Sequence, residues 1–371
     1  MKILNVNVTI DSLTGGGTAE RTNQMSRFLA QQNHECTILT LDSNLSKDKQ
    51  TELQNIKLIT LPYFSKRFLI PKGGLKKIKN AVHEADIIHI MNHWTILNAI
   101  VYCYARHLGK PYVVCPAGAL PIFGRSRILK RIFNFIIGKK IIKNANAHIA
   151  IALNEIDHYK VYGIQESKIT LIPNGVILDD FQENKNAATQ FKLPEKYILF
   201  MGRLNYIKGP DLILKAFARL PAEYQNYHFV FAGPDEGMLA FLQNLIKNSP
   251  LAEKVHFIGS VAKADRVRTY QNAMFLVVPS RQEAMSLVVI EAGIFSKPVL
   301  ITDQCGFNLE EADAGYVVQA NVAGLEQGLI KMLSNSTRNN MGSNLNKLIL
   351  KNYTWDSIGE KIVDLYQRVL Q

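Results

Sequence analysis

What this sequence lacks narrows its class before any motif is found. Its 371 residues hold only four cysteines, Cys36, Cys103, Cys115 and Cys305. They stand far apart with no C-x-x-C spacing, which argues against a zinc ribbon or a disulfide framework and fits a reducing cytoplasm. No apolar run approaches the roughly 18 residues needed to span a bilayer. The opening MKILNVNVTI alternates like a first strand and has no long apolar core or cleavage site of the signal-peptide kind. His, Cys, Asp and Glu nowhere cluster at metal-ligand spacing, so neither a metal nor a cofactor is expected. No G-x-G-x-x-G fingerprint occurs near the N-terminus, where the glycines are consecutive.

Acidic residues are also missing where basic ones are dense. Between Asp86 and Glu155 there is no carboxylate, yet nine Lys and Arg occur. Met1 to Gly175 holds 23 Lys and Arg against 11 Asp and Glu, whereas Val176 to Gln371 holds 20 against 20. The whole net charge of +12 therefore sits in the first half, which is expected to seek an anionic partner. Within it, IFGRSRILKRIFNFIIGKKIIKNANAH, from Ile122, mixes Arg125, Arg127, Lys130, Arg131, Lys139, Lys140 and Lys143 with apolar residues at helical spacing. Basic residues near an anionic leaflet contribute ~1 kcal/mol each, enough for reversible peripheral binding. An ordinary helix packed on a sheet with its charges in water is the other reading. No nucleic-acid motif accompanies the charge, and no nucleic-acid partner is expected.

What is present is a long alternation of strand and helix signals. Hydrophobic residues make up 47% and charged residues 20%, the balance of a soluble globular protein, and the length exceeds one core. Strands are predicted at Lys57 to Leu61, Ile87 to Ile90, Tyr112 to Cys115, Ala147 to Ala152 and Lys168 to Ile172, with helices at Leu75 to Glu84, from about Trp94 to Leu108 and from Asn154. Repeated βα units predict an α/β fold with parallel, doubly wound sheets that bind ligands at strand carboxyl ends. Gly15, Gly16 and Gly17 are expected as a loop ahead of a helix from Thr18, either a tight turn or a bare-backbone approach to a ligand. His89 alternates with apolar strand residues and reads as buried. Pro173, Asn174 and Gly175 punctuate strongly, and the polar DDFQENKNAATQ reads as a linker. Domains of 1–175 and 176–371 follow.

The second half carries the chemistry. A strand at Met274 to Val278 runs through Pro279 and Ser280 into a loop with Glu283, and an apolar helix follows from about Ser286. Its N-terminus, at Ser286 and Leu287, offers unpaired N–H groups and a dipole worth ~0.3–2 kcal/mol toward an anion. Glu291 lies in that helix, eight positions after Glu283. Upstream, GRLNYIKGP places Arg203 and Lys208 across a short loop between a strand and a helix that starts at Gly209 and Pro210.

These residues give the chain its resemblance. The pattern P-S-x-x-E-(x)7-E-A, followed by G and K-P-V, is similar to the E-x7-E signature of the retaining family 4 glycosyltransferases (glycosyl transferases group 1) of GT-B fold. G-R-L-(x)3-K-G resembles that family's diphosphate clamp, and IPNGV its interdomain junction. The resemblance implies two Rossmann-like domains facing across a cleft, with the closing helix, near 355–371, returning to the N-domain. It assigns Glu283 to hydroxyls of the donor sugar, Glu291 to the ribose, Arg203 and Lys208 to the diphosphate, Gly16 and Gly17 to the donor phosphates, and the loop at Gly259 to the base. It implies a UDP- or GDP-linked sugar as donor, a glycan or lipid-linked acceptor, front-face displacement without a metal, and a setting in polysaccharide or lipopolysaccharide assembly. One departure stands out. Many relatives place a histidine after the Pro of CPAGAL, where this chain has Ala117; either another residue makes that contact, with His93 the candidate, or activity is lost. A sugar-nucleotide epimerase of the same fold and a silent nucleotide-sugar-binding protein are the rivals.

Overall fold

The computed structural model describes every residue except 42–44, 66–68, 123–125, 183–190 and 225, with the backbone alone at 12–14, 48, 263 and 264. Arg125 and most of the expected linker lie outside the described residues. The chain forms two compact units, Met1–Gly175 with Trp355–Gln371, and Val176–Thr354.

The first unit opens with β1 (Lys2–Val6), α1 (Ser12–Gln31), β2 (Glu35–Thr40), α2 (Lys47–Glu52) and β3 (Lys57–Thr60), then a small antiparallel pair, β4 (Tyr63–Phe64) and β5 (Ile70–Pro71). It continues through α3 (Leu75–Glu84), β6 (Ile87–Met91), α4 (Ile96–His107), β7 (Tyr112–Cys115), α5 (Arg127–Phe133), a π-helical turn (Asn134–Gly138), α6 (Lys139–Lys143), β8 (Ala147–Ala150), α7 (Asn154–Lys160) and β9 (Ile169–Leu171). The main sheet has the order β3-β2-β1-β6-β7-β8-β9 and is wholly parallel. β6 reads IIHIM with every residue buried, the continuous apolar run of a parallel strand covered on both faces.

The second unit contains β10 (Tyr197–Met201), α8 (Pro210–Ala218), β11 (His228–Ala232), α9 (Leu239–Ile246), β12 (Val255–Gly259), α10 (Lys263–Gln271) and β13 (Ala273–Val278). It closes with α11 (Leu287–Ile294), β14 (Val299–Thr302), β15 (Gly315–Val318), α12 (Val322–Ser334) and α13 (Arg338–Asn352). Its sheet, β12-β11-β10-β13-β14-β15, is again parallel and repeats the doubly wound order. Strand order reverses between β10 and β13, so the loops leaving those strands diverge around the crevice where such sheets take ligands.

Two elements differ from expectation. α1 takes in the glycines rather than following them, and only Gly16 leaves helical geometry (φ 58°, ψ −142°), a backbone that favours glycine. The expected linker begins as a 3-10 turn, Leu178–Phe181, with Phe181 set edge-on to Phe295 at 6.1 Å. The last helix, α14 (Trp355–Leu370), joins the first unit, as the resemblance implies, so the domain limits are discontinuous. Gly359 explains how α14 seats on α1: a Cβ there would lie 2.1 Å from the Phe28 ring. Further along, the Tyr366 hydroxyl meets His89 Nδ1 at 2.5 Å, and burial lowers the His89 pKa to about 3.

A buried guanidinium joins these pieces. Arg21, on α1, donates from Nη1 to the Pro173 carbonyl (2.6 Å) and Asn174 Oδ1 (3.2 Å), and from Nη2 to the Ile172 carbonyl (3.1 Å). The Trp355 ring lies 5.6 Å from it. The IPN turn after β9 is therefore held by α1 and roofed by α14. Arg21→Ala leaves these acceptors buried without their donor and is expected to cost about 3 kcal/mol. Urea unfolding checks this, and an unchanged midpoint would contradict the role.

Candidate functional site

The site in the second unit is assembled by close approaches that only glycine permits. After β10 the chain turns at Gly202, and at Gly233, after β11, a Cβ would lie 2.0 Å from the Gly202 carbonyl oxygen. At Gly209 (φ 67°) a Cβ would lie 2.1 Å from the Pro279 carbonyl oxygen. The loops leaving β10, β11 and β13 thus run in backbone contact at the switch point, which brings together side chains far apart in sequence.

Lys208 Nζ lies 2.6 Å from Glu283 Oε1, and the Ser280 hydroxyl donates to the other carboxylate oxygen at 2.9 Å. Arg203 donates to Glu236 Oε1 (2.9 Å), and Asn205 donates to Glu236 Oε2 (2.7 Å) while accepting from the Lys208 backbone N–H (3.0 Å). The Arg203 guanidinium is therefore linked through Glu236 and Asn205 to the backbone of Lys208. Behind them, Arg281 makes a double bond set to Asp211 at 2.8 and 2.7 Å and lies 3.9 Å from the Tyr206 ring, bracing the β13 loop to α8.

α11 begins beside this group. Ser286 caps it, and its hydroxyl is buried without a hydrogen-bond partner, an orphan at a helix end that favours anions. Leu287 is the first helical residue. Glu291 sits in the second turn, buried, accepting from the Tyr270 hydroxyl (2.7 Å) and Arg266 (3.2 Å). Burial first, and the Glu291 charge next, push the Tyr270 hydroxyl well above its ordinary pKa of 10, so it stays a donor. Gly259 ends β12 with φ 70°, its carbonyl accepting from the Gly233 N–H at 2.7 Å. Sequence reasoning missed Glu236, Asn205, Ser280, Tyr270 and Arg266. The last two had a faint signal, four positions apart on one face of α10.

In the first unit, Gly16 and Gly17 lie in α1 at its break. Ala117 adopts φ 49°, a left-handed backbone unusual for alanine, and the Gly118 N–H beside it donates to the buried Glu155 carboxylate. His93 is not positioned as a surface contact. It is buried against Trp94, Phe133 and Tyr162, with Nε2 3.0 Å from Asn134 Oδ1.

The sequence relationships agree with this architecture. The family described as Glycosyl transferases group 1 matches residues 181–365, and Glycosyltransferase Family 4 matches 15–180. The chain belongs to these group 1, family 4 glycosyltransferases, and its two parallel sheets form a GT-B fold. It is similar to an uncharacterized glycosyltransferase of Methanocaldococcus jannaschii, 26% identical over 57% of this chain and 57% of that one. It also resembles a D-inositol 3-phosphate glycosyltransferase of Mycobacterium sp. (strain KMS), 32% identical over 38% of this chain and 33% of that one. The chain thus spans a third to three fifths of the curated relatives it matches. In fold it is similar to Anabaena HepE, solved in complex with UDP-glucose, with a TM-score of 0.78, 16% identity, and coverage of 99% and 100% of the two chains.

Burial lowers the His93 pKa from 6.5 to about 4. Between those values the unfolded ring binds a proton that the folded ring does not, so stability falls as pH drops from 6.5 to 4. In His93→Gln, urea titrations across that window are expected to lose a slope of up to ~1.4 kcal/mol per pH unit. An unchanged slope would mean that the ring is solvated.

Proposed function

We propose that this protein is a retaining, metal-independent glycosyltransferase that moves a sugar from a nucleotide-diphosphate donor, UDP-linked rather than GDP-linked, to a glycan or lipid-linked acceptor. The observation that carries this reading is the Lys208–Glu283 contact at the switch point, beside the orphaned Ser286 hydroxyl at the start of α11. It joins the Lys208 ammonium to a carboxylate that stands three residues ahead of a helix N-terminus. The UDP assignment draws on the UDP-glucose complex of HepE. The basic first unit supports an anionic, cell-surface glycan or lipid acceptor of the polysaccharide or lipopolysaccharide kind.

In this reading Arg203 and Lys208 hold the diphosphate, with Ser286 and the Leu287 N–H at the helix end. Glu283 accepts from hydroxyls of the donor sugar. Glu291, oriented by Tyr270 and Arg266, accepts from the ribose, and the backbone at Gly259 meets the base. The bond from the sugar C1 to the β-phosphate oxygen breaks as the acceptor oxygen bonds to C1 on the same face. The acceptor's proton passes to the departing phosphate. Negative charge grows on that phosphate as the bond breaks, so fixed cations bind the transition state more tightly than the ground state. Charge-assisted bonds of roughly 1.5–3 kcal/mol each suffice for this without a divalent ion. Gly16 and Gly17 supply backbone to the donor phosphates.

Arg203→Ala and Lys208→Ala are each expected to lower turnover by more than about tenfold. UDP at a hundred times its dissociation constant is expected to add ~2.7 kcal/mol of stability. GDP and ADP at the same concentration are expected to add less, and Glu291→Ala to lose the effect. No stabilisation by any nucleotide, or full turnover in Arg203→Ala, would overturn the assignment. Nucleotide binding without transfer would identify a silent binding protein, and a changed sugar nucleotide formed without acceptor an epimerase.

A further inference from the structure

The helical run of residues 127–143 does not bury the apolar side chains that its spacing predicts. Phe133, Ile137, Ile141 and Ile142 pack against the core of the first unit. Ile128 (71% exposed), Leu129, Ile132, Phe135 (88%) and Ile136 (60%) face outward, and α5 has no buried residue. Asn134 interrupts the run. Its amide is held inside by His93 (3.0 Å) and by the Tyr162 hydroxyl, to which it donates at 2.8 Å. Holding a polar residue inward at this point fits the wider π-helical turn, which brings the next two residues, Phe135 and Ile136, outward. Gly138 makes the turn possible, because a Cβ there would lie 2.4 Å from Asn134 Oδ1.

The same stretch carries exposed Arg127, Arg131, Lys139, Lys140 and Lys143. No acidic residue occurs from 87 to 154 to balance them. A second copy docked by the same stretch would bring equal positive charge and no carboxylate, so symmetric self-association through it is opposed. A nucleic acid would meet the charges and leave the Phe and Ile side chains in water. From this combination we infer that residues 127–143 seat on an anionic lipid surface, with Phe135, Ile136 and Ile132 at the headgroup–acyl boundary and the Lys and Arg side chains on lipid phosphates. No described helix is long and apolar enough to cross a membrane, and the contact inferred is with one leaflet. It does not depend on the proposed sugar transfer.

The test is flotation of the full chain with vesicles of phosphatidylcholine alone and of phosphatidylcholine with about a quarter phosphatidylglycerol. Wild type is expected to float with the anionic vesicles and to be released by salt. F135S/I136S is expected to lower partitioning by about tenfold or more. K139Q/K140Q is expected to do likewise, at about fivefold per charge removed. Because these side chains are exposed, both variants are expected to melt at the wild-type temperature, and F135W is expected to show a blue-shifted emission with anionic vesicles only. Failure of wild type to float, equal binding to neutral vesicles, variants that bind like wild type, or a dimer dissolved by F135S/I136S would each overturn the inference.

Discussion

The candidate site depends on the backbone at Gly209 lying against the Pro279 carbonyl. A parallel, doubly wound sheet places the loops after β10 and β13 at a divergence, and nothing in that topology alone makes them touch. A residue with no side chain at the contact allows it. Arg281 and Asp211 then lock the approach with two charge-assisted bonds, and Gly202 against Gly233 brings in the loop after β11 in the same way. Lys208 meets Glu283, and Arg203 meets Glu236, because three backbones are pressed together beneath them.

The first unit solves a comparable problem with a charge instead of a gap. Arg21 gathers three acceptors from the turn after β9, and the aromatic face of Trp355 covers it. Helix α14 is thereby fixed to the unit that begins the chain, although more than three hundred residues separate them. The glycine at 359 lets the two helices approach at ring distance, and the buried His89–Tyr366 pair fastens the far end.

Much of this was legible from local pattern. Parallel strands covered on both faces announce themselves as apolar runs such as IIHIM and YILFM, and the turns between them as glycine and proline. The parallel sheets followed from those signals, and the GT-B fold from the family resemblance that the motifs at Arg203 and Glu283 carry. What was not legible depends on partners contributed by other loops. Glu236 gives no hint in sequence that it faces Arg203, because the loops bearing them meet only through Gly202 and Gly233. His93 sits in a loop, where either a substrate contact or a structural role could be read, and rings from the neighbouring residue, α5 and the stretch after α7 enclose it. Periodicity also assumes a constant turn. One π-helical turn at Asn134 breaks that constancy, and Phe135 and Ile136 lie exposed.

The pairing of each cation with a carboxylate sets the terms on which the site exchanges ions. Arg203 already holds Glu236, and Lys208 already holds Glu283. A simple monovalent anion entering there would trade one single charge for another and gain little, while losing its own hydration. In the proposed reading, a diphosphate spreading several charges over adjacent oxygens replaces both carboxylates, and Glu283 is left to accept hydroxyl donors. Each carboxylate therefore competes with any incoming anion for its cation.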